Sequence, residues 1–365
     1  TAIPYSLKFA TTSSKANIVL SNPFCIIRTI GNSVVTTPQY FDSKTLNQIY
    51  TPYHTPKADR EFSPRNVVIF VMESMSAENS AYLCADLYAD DSQKGYTPFL
   101  DSLMQSGYTF ERMYANGKRS IQALPSIWGS IPSLVEPFVL MPESLGESRP
   151  LPALLREKGY TTVFFCGSER GSMGFDAYAI SAGFERCISK EDYERAHGNN
   201  DFDGYWGIWD DKFLSFMGEQ IDTLQEPFLA SVFTISSHHP FVLPEQWRER
   251  LPKSDCPIQP CAAYLDGAVE KFFRENRDKS WFDSTIFVFV ADHVSSEHYA
   301  ERTNSSPGDF HIVGLFYTPD GSLQGEFAEP ASQIDIMPTL LTALGYNKPY
   351  FAYGRDLFDN SALPL

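Results

Sequence analysis

The sequence predicts a doubly wound α/β fold with a mostly parallel central sheet flanked by helices and a small C-terminal subdomain. Three observations predict it. Several short runs are apolar throughout rather than alternating, which marks strands covered on both faces. Helical patterns with start and stop signals fill the gaps between those runs. The runs also end in polar, chemically capable residues, and open α/β sheets bind ligands beyond the carboxyl ends of their strands.

The strand runs are residues 66–73 (Asn-Val-Val-Ile-Phe-Val-Met-Glu), 161–167, 228–235, 285–293 and 312–317, with a further strand-like segment at 108–114. The first helix covers 97–104, with Thr97 as N-cap, Pro98 in the first turn and Gly107 as its stop. A second covers 152–158 and ends at Gly159. A third, at 263–276, places Tyr264, Leu265, Ala268, Val269, Phe272 and Phe273 on one face. The last, at 335–344, stops at Gly345.

Composition narrows the function. The 365 residues carry 45 acidic against 29 basic side chains, a formal charge of −16, and 43% are hydrophobic. Enough apolar material for a large core excludes a disordered or fibrous chain. Length allows one large α/β domain or two ordinary ones. The negative charge and the lack of any Lys/Arg-rich stripe exclude nucleic acid as a partner. No apolar run approaches the roughly 18 residues needed to cross a bilayer, and no secretory leader pattern follows Thr1. The six cysteines (25, 84, 166, 187, 256 and 261) include no Cys-x-x-Cys, so zinc-ribbon and thioredoxin-like motifs are absent. Cys256 and Cys261 flank a Pro-containing loop, where a local disulfide and two unpaired thiols fit the spacing equally.

The chemistry concentrates at strand ends. Asp292 and His293 close one hydrophobic run and Glu73 closes another. Two carboxylates and an imidazole suit Mn²⁺ or Mg²⁺, with Zn²⁺ also possible. An Asp-His pair alone is more often a helix cap beside a loop histidine; agreement between several strand ends reverses that reading. Ser120 sits between the strand-like 108–114 and a helical stretch, where a helix N-terminus favours an alkoxide and an incoming phosphate. Lys118 and Arg119 add positive charge there, although Pro125 comes late for a first turn and suggests a later helix start. His238 and His239 follow the 228–235 strand, and His238 is the candidate to protonate a leaving oxygen or hold phosphate. His311 is a candidate further ligand, while His54, His197 and His298 read as surface residues.

Seven segments occur in a telling order. They are Asn66 through Glu73-Ser74, Asn116-Gly-Lys-Arg-Ser120, Phe202-Asp-Gly-Tyr-Trp-Gly-Ile-Trp-Asp210 and Ile235-Ser-Ser-His-His-Pro-Phe241, followed by Phe289-Val-Ala-Asp-His293, Ser332-Gln-Ile-Asp-Ile-Met-Pro-Thr-Leu-Leu341 and Gly354-Arg-Asp-Leu-Phe358. Over roughly residues 20–358 this pattern resembles the lipoteichoic acid synthase-like branch of the sulfatase/alkaline phosphatase superfamily.

The resemblance implies Glu73, Ser120, Asp292 and His293 as ligands of one divalent metal, with Ser120 as nucleophile where relatives often carry Thr. It implies His238 at the substrate head group. It places Ser172, Met173 and Asp176 of Gly171–Asp176, and Trp206 and Asp210, along the cleft. Cys166 stands before Gly167 where relatives often have His-Gly after the second strand. It further implies a 1–60 extension following a membrane region, a catalytic core over 61–320 and a C-terminal part of the same domain over 321–365. The expected setting is the extracytoplasmic face of a bacterial cytoplasmic membrane, with membrane spans earlier in a longer polypeptide. That oxidising compartment would favour the Cys256–Cys261 disulfide. The expected reaction moves phosphoglycerol from phosphatidylglycerol, through a phosphoserine-type intermediate, to an alcohol or glycan acceptor.

Rival readings differ in specific residues. A formylglycine-dependent sulfatase needs Cys/Ser-x-Pro-x-Arg, whereas Ser120 is followed by Ile-Gln-Ala-Leu-Pro. A phosphoethanolamine transferase and a hydrolytic phosphodiesterase share the same constellation. A binding ectodomain that lost its chemistry would be expected to lack one of the four metal residues, and all four are present.

Overall fold

The computed structural model describes residues 39–56, 61–88, 95–133, 137–141, 144 and 148–359. The chain divides into two units, Thr1–Tyr50 and Thr51–Leu365. In the first, helix α1 (Ser43–Ile49) is capped by Asp42, whose carboxylate accepts the Thr45 N–H at 2.8 Å. Cys25 and most of the expected N-terminal extension lie outside the described residues.

The second unit is built on a nine-stranded sheet. Its strands are β2 (Asn66–Met72), β3 (Tyr108–Tyr114), β4 (Thr161–Cys166), β5 (Arg186–Ile188), β6 (Phe228–Phe233), β7 (Thr285–Ala291), β8 (His311–Ile312), β9 (Gly314–Tyr317) and β10 (Gly325–Ser332). The order is β10-β3-β9-β7-β2-β6-β4-β5, with β8 also on β3. All neighbours pair parallel except those involving β8 and β9. The apolar run at 312–317 is thus two short strands, split at Val313, that run against the rest. A buried strand reads as continuously apolar in either direction, so the pattern could not tell them apart. A separate two-stranded ribbon joins β1 (Tyr53–His54) to β11 (Tyr350–Phe351).

The helices are α2 (Pro98–Ser106), α3 (Ser120–Gly129), α4 (Leu151–Arg156), α5 (Phe175–Ala182), α6 (Lys190–His197), α7 (Asp210–Ile221), α8 (Glu245–Arg248), α9 (Ile258–Asn276) and α10 (Ile336–Ala343). They cover both faces of the sheet, and the register shows why. Phe70 pairs with Val232 and meets Phe272 of α9 edge-on, its ring 5.3 Å away. Ser231, one residue back, points the other way: its hydroxyl accepts the Trp128 Nε1–H of α3 at 3.2 Å, beside Phe164. Period two along the strands therefore feeds two separate helix layers.

Several boundaries differ from the sequence reading. Helix α2 starts as expected, but Thr97 does not cap it: its hydroxyl donates to Asp101 and to the Asn79 carbonyl. Asp266 of α9 caps instead, accepting the Phe99 and Leu100 N–H groups at 2.9 and 2.8 Å. Helix α3 begins at Ser120 itself and carries Pro125 inside. Helix α9 begins five residues early, after Pro257, and all six predicted core residues are buried. Cys261 extends that apolar stripe into the core, whereas Cys256 precedes the helix in a half-buried turn. Both are free thiols, as are Cys84, Cys166 and Cys187, so the expected local disulfide is not formed. The C-terminal segment, expected as a small subdomain, joins the main sheet through β10, which pairs with β3.

Candidate active site

Strands β2, β3, β4, β6, β7 and β10 point the same way, so their exits meet at one end of the sheet. The β2–β7 register pairs Met72 with Ala291, and the Asp292 N–H donates to the Met72 carbonyl at 3.1 Å. The next residues, Glu73 and Asp292, are consequently neighbours. A slip of one residue would turn each to the opposite face.

Glu73 is held on all sides. Its N–H donates to Thr234 Oγ1 at 3.0 Å, and its carbonyl accepts the Ser237 hydroxyl at 2.6 Å. Ser74 adopts a left-handed conformation (φ 55°), uncommon outside glycine. Two bonds hold it there: its N–H donates to Asp292 Oδ1 at 2.8 Å and its hydroxyl to Glu73 Oε1 at 2.6 Å. Backbone strain of this kind persists where the surroundings over-determine it, commonly at functional sites.

Ser120 arrives as the first residue of α3. Its Oγ donates to Glu73 Oε2 at 3.1 Å and lies 3.2 Å from His293 Nε2. His293 Nδ1–H donates to the Val294 carbonyl at 2.7 Å, which leaves the Nε2 lone pair facing the site. Nε2 stands 3.2 Å from Asp292 Oδ2 and 3.7 Å from Glu73 Oε1. Burial and the neighbouring Glu73 charge push Asp292 well above the carboxylate range. Burial alone would lower His293, but the Asp292 and Glu73 charges outweigh it and raise its proton affinity.

These residues fit a divalent cation. Glu73, Asp292 and His293 offer donor atoms within 4.8 Å of one another, the single such cluster among the described residues. Asp292 Oδ2 is fully buried with no hydrogen-bond partner among them, and adjacent buried carboxylates are costly unless a cation neutralises them. Oxygen-rich donors with one imidazole suit Mn²⁺, Mg²⁺ or Zn²⁺.

The other expected residues fall around this centre or away from it. Lys118 is ion-paired with Asp309 at 2.5 Å and lies 5.0 Å above the Phe310 ring. Arg119 is exposed, with no carboxylate in ion-pair range among the described residues. His238 follows Ser237 on the β6 exit; its Nδ1–H donates to the His239 carbonyl at 2.8 Å, and its ring packs on Trp206 at 4.2 Å. Trp206 Nε1–H donates to the same carbonyl at 2.7 Å.

Asp210, expected along the cleft, is buried and acts within the protein. Its carboxylate accepts the Ile235 N–H at 3.1 Å and the Ser236 N–H at 2.8 Å, so it pins the loop that carries His238. Cys166 is buried, with its thiol 3.1 Å from Ser168 Oγ. Ser172 and Met173 lie in a short turn, with Met173 left-handed and partly exposed. Asp176 caps the Gly171 N–H at 2.8 Å and lines a cleft of about 730 Å³ with Arg170 and Cys187 that contains none of the metal candidates. His311 does not join the cluster: its Nε2–H donates to the Glu111 carbonyl at 2.9 Å. His298, read as a surface residue, is largely enclosed between Asp309 and Glu78. Thr234, Ser237 and Gln333, which support the site, carried no signal of their own; all three lie inside or beside the seven ordered segments.

Residues 65–346, more than three-quarters of the chain, match the family described as Sulfatase. The chain belongs to the sulfatase family. Lipoteichoic acid synthase 1 of Bacillus subtilis is 25% identical over 346 residues, covering 87% of this chain and 52% of that protein. This sulfatase-family chain spans about half the length of the curated relatives it matches. Among solved structures, an alkaline phosphatase superfamily protein from Vibrio parahaemolyticus superposes with a TM-score of 0.73 at 26% identity, covering 94% of this chain and 80% of that one. The lipoteichoic acid synthase LtaP from Listeria monocytogenes gives 0.70 at 20% identity, covering 92% and 81%. This sulfatase-family chain is an enzyme of the sulfatase/alkaline phosphatase superfamily.

Proposed function

We propose that this enzyme is a phosphotransferase that moves phosphoglycerol from phosphatidylglycerol to an alcohol or glycan acceptor at the extracytoplasmic face of the membrane. One observation carries it: the Ser120 hydroxyl stands at a helix N-terminus within 3.2 Å of both Glu73 and His293. The named lipoteichoic acid synthase relatives support the substrate class. The family name alone points to sulfate esters, but no Pro-x-Arg follows Ser120 as formylglycine formation requires.

Glu73, Asp292, His293 and Ser120 would hold the divalent metal, preferably Mn²⁺. When bound, that ion supplies Lewis acidity that lowers the hydroxyl pKa and withdraws charge from phosphoryl oxygens. Ser120 Oγ gives up its proton to solvent and bonds to phosphorus, and the bond from phosphorus to the diacylglycerol oxygen breaks. The dipole of α3 and the exposed Arg119 guanidinium favour the phosphate's negative charge. His238, on the loop pinned by Asp210, protonates the departing oxygen. The acceptor's hydroxyl then gives its proton to the deprotonated His238 and its oxygen bonds to phosphorus, while the bond from phosphorus to Ser120 Oγ breaks and the serine takes back a proton from solvent.

The test is diacylglycerol release from phosphatidylglycerol and phosphatidylethanolamine, each with Mn²⁺ or Zn²⁺, comparing wild type with Ser120→Ala. Ser120-dependent release from phosphatidylglycerol is expected, with metal still bound to the variant. Release from phosphatidylethanolamine alone would reassign the head group. Release that survives Ser120→Ala would remove the nucleophile.

A further inference from the structure

Gln333 lies fully buried in the 3₁₀ turn that follows β10, and its side-chain amide is spent in three directions. Nε2 donates to the Ala291 carbonyl at 2.7 Å and to the Asp292 carbonyl at 2.8 Å. Oε1 accepts the Asn116 N–H at 2.9 Å. The first two contacts grip the end of β7, which delivers Asp292 and His293. The third grips the turn after β3, four residues before Ser120. Asn116 reciprocates: its Oδ1 accepts the Ser332 hydroxyl at 2.7 Å and the Ile334 N–H at 3.3 Å.

We propose that Gln333, paired with Asn116, is a positioning residue that sets the separation between the Asp292–His293 strand end and the Ser120 turn. The proposal rests on the metal-and-nucleophile reading of the site. The physical case is specific to a primary amide. Two N–H donors and a carbonyl acceptor on one uncharged group can satisfy two strand-end carbonyls and a loop N–H at once. A carboxylate of the same length keeps the Asn116 contact but turns an oxygen toward the two carbonyls. The sites joined are those whose spacing matters: Ser120 Oγ is 3.2 Å from His293 Nε2, and displacements of a few tenths of an ångström change what such a centre can bind and attack.

The two halves of the lock are separable. Gln333→Glu releases the β7 side, whereas Asn116→Ala keeps the backbone N–H bonded to Gln333 but removes the Oδ1 contacts to Ser332 and Ile334 that brace the nucleophile side. The full chain is titrated with Mn²⁺ or Zn²⁺ by calorimetry, and kcat and KM are measured on the phospholipid donor, with folding checked by circular dichroism. Gln333→Glu is expected to weaken metal binding about 10- to 100-fold, the range seen when an outer partner of a metal ligand is removed. Asn116→Ala is expected to lower kcat by about tenfold or more through misplacement of Ser120, with KM near wild type and metal affinity reduced less than in Gln333→Glu, because Glu73, Asp292 and His293 stay in place. If both variants fold and match wild type in metal affinity and kcat, the lock is structural only and the proposal is overturned. If Gln333→Glu does not fold, Asn116→Ala decides alone through the same split. Failure of the underlying site shows separately: wild type would then bind neither metal, or Asp292→Asn would bind it equally well, and either result overturns both readings.

Discussion

At the scale of single residues, burial decides which carboxylates are unusual. Asp292 and Asp210 are both raised, Asp210 to about 7, because low-dielectric surroundings disfavour the charge. Asp320 shows the opposite. Some burial opposes it, but the Ser322 hydroxyl and N–H donate to its carboxylate, Arg65 lies 3.0 Å away, and its pKa falls to about 2. A depressed carboxylate pKa contributes stability that is present above the unfolded value and lost as pH falls through the folded one. Asp320→Asn should therefore lower the melting temperature at pH 7 and converge with wild type between about pH 4 and pH 2. The pair is partly exposed, so the neutral-pH cost is at most about 1 kcal/mol. A gap that widens on acidification would rule out this assignment.

At the scale of elements, the exits of the parallel strands depend on close backbone approach. Gly207 forms a bridge with Ser168, and a Cβ there would stand 2.2 Å from the Gly167 carbonyl oxygen. No rotamer relieves that clash, because the opposing atom is backbone. Gly207→Ala should push the 201–208 loop off the β4 exit and disturb Trp206 against His238. The expected cost is about 1–3 kcal/mol by denaturant unfolding, together with altered quenching of tryptophan fluorescence. An unchanged unfolding midpoint would show the two loops to be independent. Helix α3 gives a related lesson. Pro125 argued from sequence for a later start, yet the helix begins at Ser120, since a proline at the sixth position removes one internal donor without preventing the first turn.

At the scale of the whole molecule, the central strands hold the site by packing on both faces. Phe70 is fully buried, stacked on Phe289 at 4.8 Å and edge-on to Phe272 at 5.3 Å. Phe70→Ala should cost about 3–5 kcal/mol in denaturant unfolding; a loss below about 1 kcal/mol would show that the core closes over the gap. The sequence by itself determined the sheet's principal strands, the buried face of α9, and the placing of Glu73, Asp292, His293 and Ser120 at strand ends and a helix start. Those properties follow from local periodicity and chain order. Only the tertiary structure decided what depends on register and on contacts distant in sequence. It alone made Glu73 and Asp292 neighbours through the Met72–Ala291 pairing, and ran β8 and β9 against the rest. Asp210 became a buried pin, His311 was withdrawn from the cluster, and Cys261 was buried while Cys256 stayed half-buried, both as free thiols. Gln333 shows the limit most plainly. Its partners lie 217 and about 40 residues away, and an amide in a short polar segment carries no local mark of which strands it will join.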